Sequence, residues 1–160
     1  AIWHDDVSTL PRDVSLLGVA NEFFDALPVE QFGLDGRALT VEPSEDGFAR
    51  TGLVAREASP ASAAIAADLA RRIAGQGGAA LIIDYGYEGP AIGDTLHAVR
   101  GHQYANPFDD PGEADLTAHV DFSTLREAAE LEGLVVHGPV TQGAFRPTEW
   151  ASEQLAGLAG

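Results

Sequence analysis

Polar and acidic side chains follow two short apolar runs of the sequence at the points where those runs end. They are Asn21, Glu22 and Asp25 after the first run, and Asp84 and Tyr85 after the second. If the two runs are neighbouring parallel strands, these side chains meet at one edge of a sheet, where α/β proteins bind ligands. Carboxylates there can orient a cation, act as bases or bind ribose hydroxyls. The alternative is that Glu22 and Asp25 only cap the turn that follows their run.

The histidines allow a second kind of site, a bound metal ion. His102, His119 and Asp121 lie in one long polar segment, and the spacing His119-x-Asp121 would place two ligands on one side of an extended chain. Hydrogen-bonded structural histidines are the simpler explanation, so we predict no metal site. The sequence also has no nucleophile elbow, no P-loop and no glycine-rich dinucleotide fingerprint.

The two apolar runs and the helix between them predict the elements that position these acids. Ser15–Ala20 and Ala79–Asp84 have the length and composition of buried strands. Ser59 and Pro60 mark the start of a helix that continues to Gly75. This order of elements predicts adjacent parallel strands in an α/β sheet that is covered on both faces, with the helix on one of them.

The remaining sequence predicts several further features. They are a hairpin at Asp35-Gly36, a helix over Phe122–Glu132 with Thr124 and Glu127 as its capping box, a third strand at LVVHG (134–138) and a final helix over Thr148–Leu158. Residues 85–121 show no regular pattern but carry spaced aromatic residues. Because long loops in compact domains are usually functional or disordered, we predict an ordered excursion over the strand ends.

The composition limits the classes of function. The 160 residues carry a net charge of −16 and include no lysine. Such a polyanion repels phosphate backbones, so we predict no nucleic-acid partner. The absence of cysteine excludes disulfides, thiolate metal sites and cysteine nucleophiles. No apolar run approaches the roughly 20 residues that span a bilayer, so we predict no membrane span. The chain also contains no methionine and opens on Trp3-His4, so we expect it to be part of a longer polypeptide.

Four long motifs resemble one family. VANEFFDALPVEQF, GGAALIIDYGY, GDTLHAVRGHQYANPFDDPGEADLTAHVDF and LVVHGPVTQGAF occur in this order between Trp3 and about Phe145. Together they resemble the MidA family of S-adenosylmethionine-dependent methyltransferases. That family includes the mitochondrial assembly factor that symmetrically dimethylates an arginine on a subunit of respiratory complex I.

The resemblance implies a Rossmann-like methyltransferase fold. Residues 1–160 would form a single domain or a fragment, the later part of a class I methyltransferase domain, with 85–121 as its excursion. The first half of the family's domain, with its glycine-rich cofactor loop, has no counterpart in this sequence, and neither does its last strand. The resemblance therefore implies weak or absent cofactor binding, and no activity, for this chain alone.

The resemblance also implies roles for the acidic strand ends. Glu22 and Asp25 would be the catalytic pair that holds an arginine guanidinium, and Asn21 and Glu22 would contact the cofactor. The implied substrate contacts, several of which would order the excursion over the site, are Asp84, Tyr85, Arg100, His102, His119 and Asp121.

Two functions from different classes follow. The first is a protein-arginine methyltransferase, or a fragment of one, that uses S-adenosylmethionine and acts on a protein substrate, such as a complex I subunit. The second is a non-catalytic protein-binding or assembly module that has lost the cofactor loop. The expected location is the bacterial cytoplasm, or the mitochondrial matrix in a eukaryote, and association of identical chains stays open.

Overall fold

The computed structural model of the chain describes residues 2–45, 47–89 and 93–145. The strands are β1 Leu16–Asn21, β2 Glu30–Phe32, β3 Val41–Ser44, β4 Gly47–Arg50, β5 Arg56–Ala58, β6 Gly78–Ile83, β7 Gly86–Tyr87, β8 His97–Arg100, β9 Gln103–Ala105, β10 Asp115–Thr117 and β11 Val120–Asp121. The helices are α1 Pro60–Gln76, α2 Phe122–Leu131 and a short 3-10 helix over Val7–Thr9. The predicted final helix over Thr148–Leu158 lies outside the described residues.

Strands β1 and β6 form the parallel pair that the apolar runs predict. Their register runs from Leu16 opposite Gly78 to Asn21 opposite Ile83, so both strands end at the same edge. Gly78 is required for this close pairing, because a Cβ there would lie 1.9 Å from the carbonyl oxygen of Leu16. The prediction of adjacent parallel strands is confirmed.

Helix α1 connects these strands and packs against them. Ser59 caps its first turn by accepting a hydrogen bond from the Ser62 amide at 3.2 Å, and Pro60 occupies the first helical position. The helix continues past the predicted end at Gly75, because the cap is Gly77, whose φ of 78° lies in the left-handed region. Gly75 is therefore an interior helical residue.

The core covers only one face of the β1–β6 pair. Phe24, Ala66, Val120 and Leu125 are its buried members, and Ala20 and Ile82 pack against them from the sheet. The opposite face is exposed: Leu17, Val19, Leu81 and Ile83 expose 82%, 73%, 37% and 41% of their surface. The prediction that both faces are covered is wrong for the described part of the chain, because α1 and α2 supply apolar side chains to one side alone.

Helix α2 is capped by Asp121, the residue directly before its first helical position. The carboxylate of Asp121 accepts hydrogen bonds from the Ser123 amide at 2.9 Å and from the Thr124 hydroxyl at 3.1 Å. The predicted cap at Thr124 is wrong, because that hydroxyl is used inside the first turn. The helix ends as predicted beside Gly133, whose amide donates to Glu130 while the next amide, of Leu134, donates to Ala129.

The segment 134–138 forms no strand, so the predicted third strand is wrong. A strand needs a hydrogen-bonded neighbour, and within the described residues β1 and β6 pair only with each other. Val135 exposes 80% of its surface as a consequence.

The described part of the excursion after β6 contains a small antiparallel sheet. Its strand order is β10, β8, β9, and the β8–β9 hairpin turns at Gly101 and His102, whose φ values of 58° and 64° suit a type I′ turn. Strand β11 then runs parallel to β7, which returns the chain to the β1–β6 edge. The predicted turn at Asp35-Gly36 is confirmed by a hydrogen bond from the Gly33 amide to the Arg37 carbonyl, although β2 pairs mainly with β5. No helix among the described residues has the length and apolarity needed to cross a bilayer.

Candidate functional site

The carboxylate of Asp84 organises the end of the β1–β6 pair. One of its oxygens accepts hydrogen bonds from the amides of Phe23 and Phe24 at 3.2 and 2.9 Å, and the other accepts from the Tyr85 amide at 2.9 Å. The Glu22 amide extends the parallel ladder by donating to the Ile83 carbonyl at 2.8 Å. Asp84 on one strand therefore fixes the loop that carries the acids of the other strand.

Asp25 is the buried member of this acidic group and exposes only 7% of its surface. Burial raises the pKa of its carboxyl, and the negative charges of Asp84 and Glu22 raise it further. The structure thus brings Glu22, Asp25 and Asp84 together at one edge, as their positions in the sequence predict. We call these three residues the acidic end. Glu22 has a φ of 48°, a left-handed conformation that is rare for a residue with a side chain.

The acidic end has no arginine partner among the described residues. The ion pairs within the described residues join arginines to carboxylates other than Glu22, Asp25 and Asp84. These arginines are Arg37, Arg50, Arg71, Arg100 and Arg126. A buried carboxylate beside two further acids is electrostatically unfavourable unless a cation approaches it. This arrangement suits a positively charged ligand.

Part of the excursion reaches the acidic end. The Ala118 amide donates to the Asp25 carbonyl at 2.9 Å, and the Val120 amide donates to the Tyr85 carbonyl at 2.8 Å. His119 lies between these two anchors and is exposed. Asp121 lies one residue further along, but its carboxylate caps α2, so its observed contacts are structural.

Two of the predicted substrate contacts lie on the β8–β9 hairpin. Arg100 pairs with Asp110 at 2.9 Å on the surface, and His102 occupies the tip of the β8–β9 hairpin. At about 3.3 Å per residue, the tip lies on the order of 10 Å along β8 from His97, the end of that strand nearest the acids. The sequence could not reveal this, because the hairpin direction depends on its pairing with β10.

Tyr85 and Asn21 lie at the strand ends with exposed side chains, and Tyr85 exposes 63% of its surface. Both residues lie at the sheet edge where the sequence predicts them. The roles given to all nine predicted site residues stay predictions, because a fold determines where a side chain lies and not what it binds.

Sequence reasoning missed a polar network behind the acidic end. Glu57 accepts hydrogen bonds from Gln31 at 2.6 Å and from the amide and hydroxyl of Thr95 at 3.1 and 2.5 Å. Gln31 also accepts from Arg50 at 2.9 Å and exposes only 8% of its surface. No signal in the sequence predicts these partners, because the residues are far apart in the chain and the strands of Gln31 and Glu57 are only three residues long.

No group of three histidine or carboxylate side chains in residues 2–45, 47–89 and 93–145 is arranged to hold a metal ion. Two cavities of about 360 Å³ lie on the described surface, one lined in part by Leu39, Arg50 and Phe108 and the other in part by His4, Phe23 and Ile65. Asn21 and Glu22 lie at the carboxyl end of β1, where the resemblance places one edge of the cofactor. Weak cofactor binding by this chain alone stays a prediction.

Comparison with known families decides the relationship. A family model described as "Putative S-adenosyl-L-methionine-dependent methyltransferase" matches residues 52–140, more than half of the chain. The chain belongs to this family. The resemblance that the motifs carry is thereby confirmed, and S-adenosylmethionine is the cofactor of the family.

Curated relatives carry a more specific name. "Protein arginine methyltransferase NDUFAF7, mitochondrial" of Danio rerio is 36% identical over 166 residues, which cover 89% of this chain and 39% of the relative. The Mus musculus protein of that name is 40% identical over 167 residues, covering 89% and 37%. The Drosophila melanogaster homolog is 37% identical over 173 residues, covering 91% and 39%. The chain spans about two fifths of the length of these relatives.

Solved structures confirm the partial Rossmann-like α/β fold class. A Burkholderia thailandensis protein superposes with a TM-score of 0.62 at 25% identity, over 79% of this chain and 41% of that one. A second crystal structure from the same organism, bound to S-adenosyl-homocysteine, has a TM-score of 0.63 at 24% identity and covers 82% and 41%.

Proposed function

We propose that the protein of which this chain is part is an S-adenosylmethionine-dependent protein-arginine methyltransferase. The observation that carries the proposal is the acidic end, in a chain whose curated relatives are named arginine methyltransferases. Its three carboxylates at the ends of β1 and β6 lack an arginine partner among the described residues. A substrate guanidinium would supply the missing cation.

The chemistry of arginine explains why carboxylates are needed. The guanidinium charge is delocalised and its pKa exceeds about 12, so its nitrogens are poor nucleophiles. Two carboxylates can hold the fork-shaped group by charge-assisted hydrogen bonds and concentrate electron density on one nitrogen. We assign this holding role to Glu22 and Asp25, with Asp84 fixing the loop that carries them. When bound, S-adenosylmethionine supplies the methyl group.

The nitrogen that gains a methyl group must also release a proton. Burial and neighbouring charges raise the pKa of Asp25, so its carboxylate is a stronger base than an exposed aspartate. Asp25 is therefore the residue to which we assign the proton. The positive charge of the bound guanidinium would offset the negative charge of the Asp25 carboxylate, whose burial is unfavourable without a cation.

The wider setting of this function is part of the proposal. The substrate is a protein that presents an arginine, and the resemblance favours a subunit of respiratory complex I. The net charge of −16 supports a basic protein segment and opposes nucleic acid. We assign 85–121 to the excursion beside the strand ends of a class I methyltransferase domain, and expect a cytoplasmic location in bacteria or a matrix location in mitochondria.

The test uses the full-length protein and a synthetic peptide with one central arginine. D25N and E22Q should each lower kcat/KM for methyl transfer by about a hundredfold, because each removes a charge that holds the guanidinium. Cofactor affinity, measured by calorimetry, should change little for D25N. D13N is the matched control, since Asp13 is exposed and lies before β1. Equal activity of D25N and D13N would contradict the assignment.

The exposed apolar face of β1 and β6 supports a second function, a protein-binding module without catalysis. Full-length protein that binds protein partners but transfers no methyl group to arginine peptides or to complex I subunits would favour this function.

A further inference from the structure

His97 is held between two threonines near the acidic end. Its Nδ1 lies 2.9 Å from the Thr95 carbonyl oxygen, and its Nε2 lies 2.9 Å from the Thr117 hydroxyl. A carbonyl oxygen can only accept a hydrogen bond, so Nδ1 carries the ring proton. In the neutral ring Nε2 then accepts from Thr117. The two contacts therefore fix the tautomer of His97.

The same geometry accommodates a positively charged ring. A threonine hydroxyl can donate or accept, so when Nε2 gains a proton the Thr117 hydroxyl can turn and accept from it. Neither hydrogen bond is lost in the change. The contact between His97 and Thr117 therefore persists in both protonation states of the ring.

Both threonines connect His97 to fixed parts of the structure. The hydroxyl of Thr95 donates to Glu57 at 2.5 Å and accepts from the His119 amide at 2.9 Å. Thr117 directly precedes Ala118, whose amide donates to the Asp25 carbonyl at 2.9 Å. The ring of His97 thus links the network around Glu57 to the main chain of Asp25.

The surroundings of His97 combine acids and aromatic rings. Asp25 interacts with it electrostatically, and Glu57 lies behind Thr95. The rings of Tyr104 on β9 and of His119 after β10 lie 5.8 and 6.0 Å from the His97 ring. These ring contacts help to hold the imidazole between its two threonine partners.

We propose that His97 is a positioning residue of the acidic end. It fixes Thr117, and through the neighbouring Ala118 amide it holds the main chain of the Asp25 loop. The effect on methyl transfer rests on the proposed function, whereas the hydrogen-bond chain from His97 to the Asp25 main chain does not.

The hydrogen-bond chain is tested by nuclear magnetic resonance of the full-length protein labelled with ¹⁵N-histidine, using H97N to assign the His97 signals. The neutral ring should carry its proton on Nδ1, because that nitrogen faces the Thr95 carbonyl oxygen. T117V should shift the Nε2 resonance, because this nitrogen then loses its hydrogen-bond partner. A ring protonated on Nε2, or an Nε2 resonance unchanged in T117V, would overturn the inference.

Kinetics of the same protein test the positioning role with a matched pair of substitutions. T117V removes the hydroxyl and should lower kcat/KM for the arginine peptide about threefold to tenfold, as expected for one hydrogen bond. T117S keeps the hydroxyl and should stay within about twofold of the wild type. Equal losses in both variants would refute the role. An inactive wild type would refute the proposed function and leave the resonance measurement to decide the hydrogen-bond chain.

Discussion

At the scale of single residues, Asp25 shows how a residue of the candidate site can lower the stability of the fold. It exposes 7% of its surface, lies beside two other acids and has a raised pKa. The raised pKa means that the folded protein keeps the Asp25 proton to a higher pH than the unfolded chain does. Stability is therefore lost as pH rises from the ordinary value of 3.8 toward the raised value.

D25N should remove this loss of stability, because the asparagine side chain has nearly the same shape as that of aspartate and cannot ionise. At neutral pH the free energy of unfolding should rise by on the order of 1 kcal/mol, as when other functional residues are replaced. Below pH 3.8 the gain should vanish, because the carboxyl is then neutral in both states of the wild type. Urea unfolding at several pH values measures both effects. A D25N protein that is less stable than the wild type at neutral pH would show that the ionised carboxylate stabilises the fold.

At the scale of elements, Gly86 determines how the excursion returns to the sheet. Strand β7 lies so close to β11 that a Cβ on Gly86 would lie 2.1 Å from the Val120 carbonyl oxygen and 2.8 Å from the ring of Phe122. Val120 belongs to the buried core, and Phe122 begins α2. The parallel contact of β7 and β11 therefore depends on the absence of a side chain at this position.

G86A should lower the free energy of unfolding by about 1–3 kcal/mol, because the added methyl group forces β7 and β11 apart. The matched control is G75A, since Gly75 lies inside α1 with open space around it. That substitution should raise the free energy of unfolding by roughly 0.5–1 kcal/mol through helix propensity. Both values come from urea unfolding, and equal stability of G86A and the wild type would contradict the close approach.

At the scale of the whole molecule, the exposed side of the β1–β6 pair is a large apolar surface that no other described element covers. Leu17 and Val19 on β1 lie beside Ala79 and Leu81 on β6 in register, so the apolar side chains form one continuous face. Contiguous exposed apolar surface of this kind promotes association with other polypeptide surfaces. The isolated 160-residue chain should therefore associate with itself.

Replacing the central pair of this face should reduce that association. V19S/L81S removes two apolar side chains that are direct neighbours across the ladder, so a larger fraction of the chain should sediment as monomer at a given concentration. V135S is the control, because Val135 is exposed but lies outside this face. Analytical ultracentrifugation over a range of concentrations gives the comparison. Equal association of V19S/L81S and V135S would show that another surface is responsible.

The sequence by itself determined the elements whose signals are local. Apolar runs marked β1 and β6, and Ser59 with Pro60 marked the start of α1, because strand burial and helix capping depend on neighbouring residues. The acids that follow the strands could be predicted to share an edge, since parallel strands end on the same side of a sheet. The motifs could also identify the family, because their residues and order are present in the sequence alone.

Only the tertiary structure decided the features that depend on distant partners. The segment 134–138 is apolar enough for a strand but finds no neighbour to pair with among the described residues. Arg100 and His102 lie on a hairpin whose direction depends on the pairing of β8 with β10, whereas His97 is linked to the Asp25 main chain through Thr117 and Ala118. One face of the central strands is exposed because both helices pack on the other. Hydrogen-bond partners and packing contacts of this kind join residues far apart in the chain, so no local pattern specifies them.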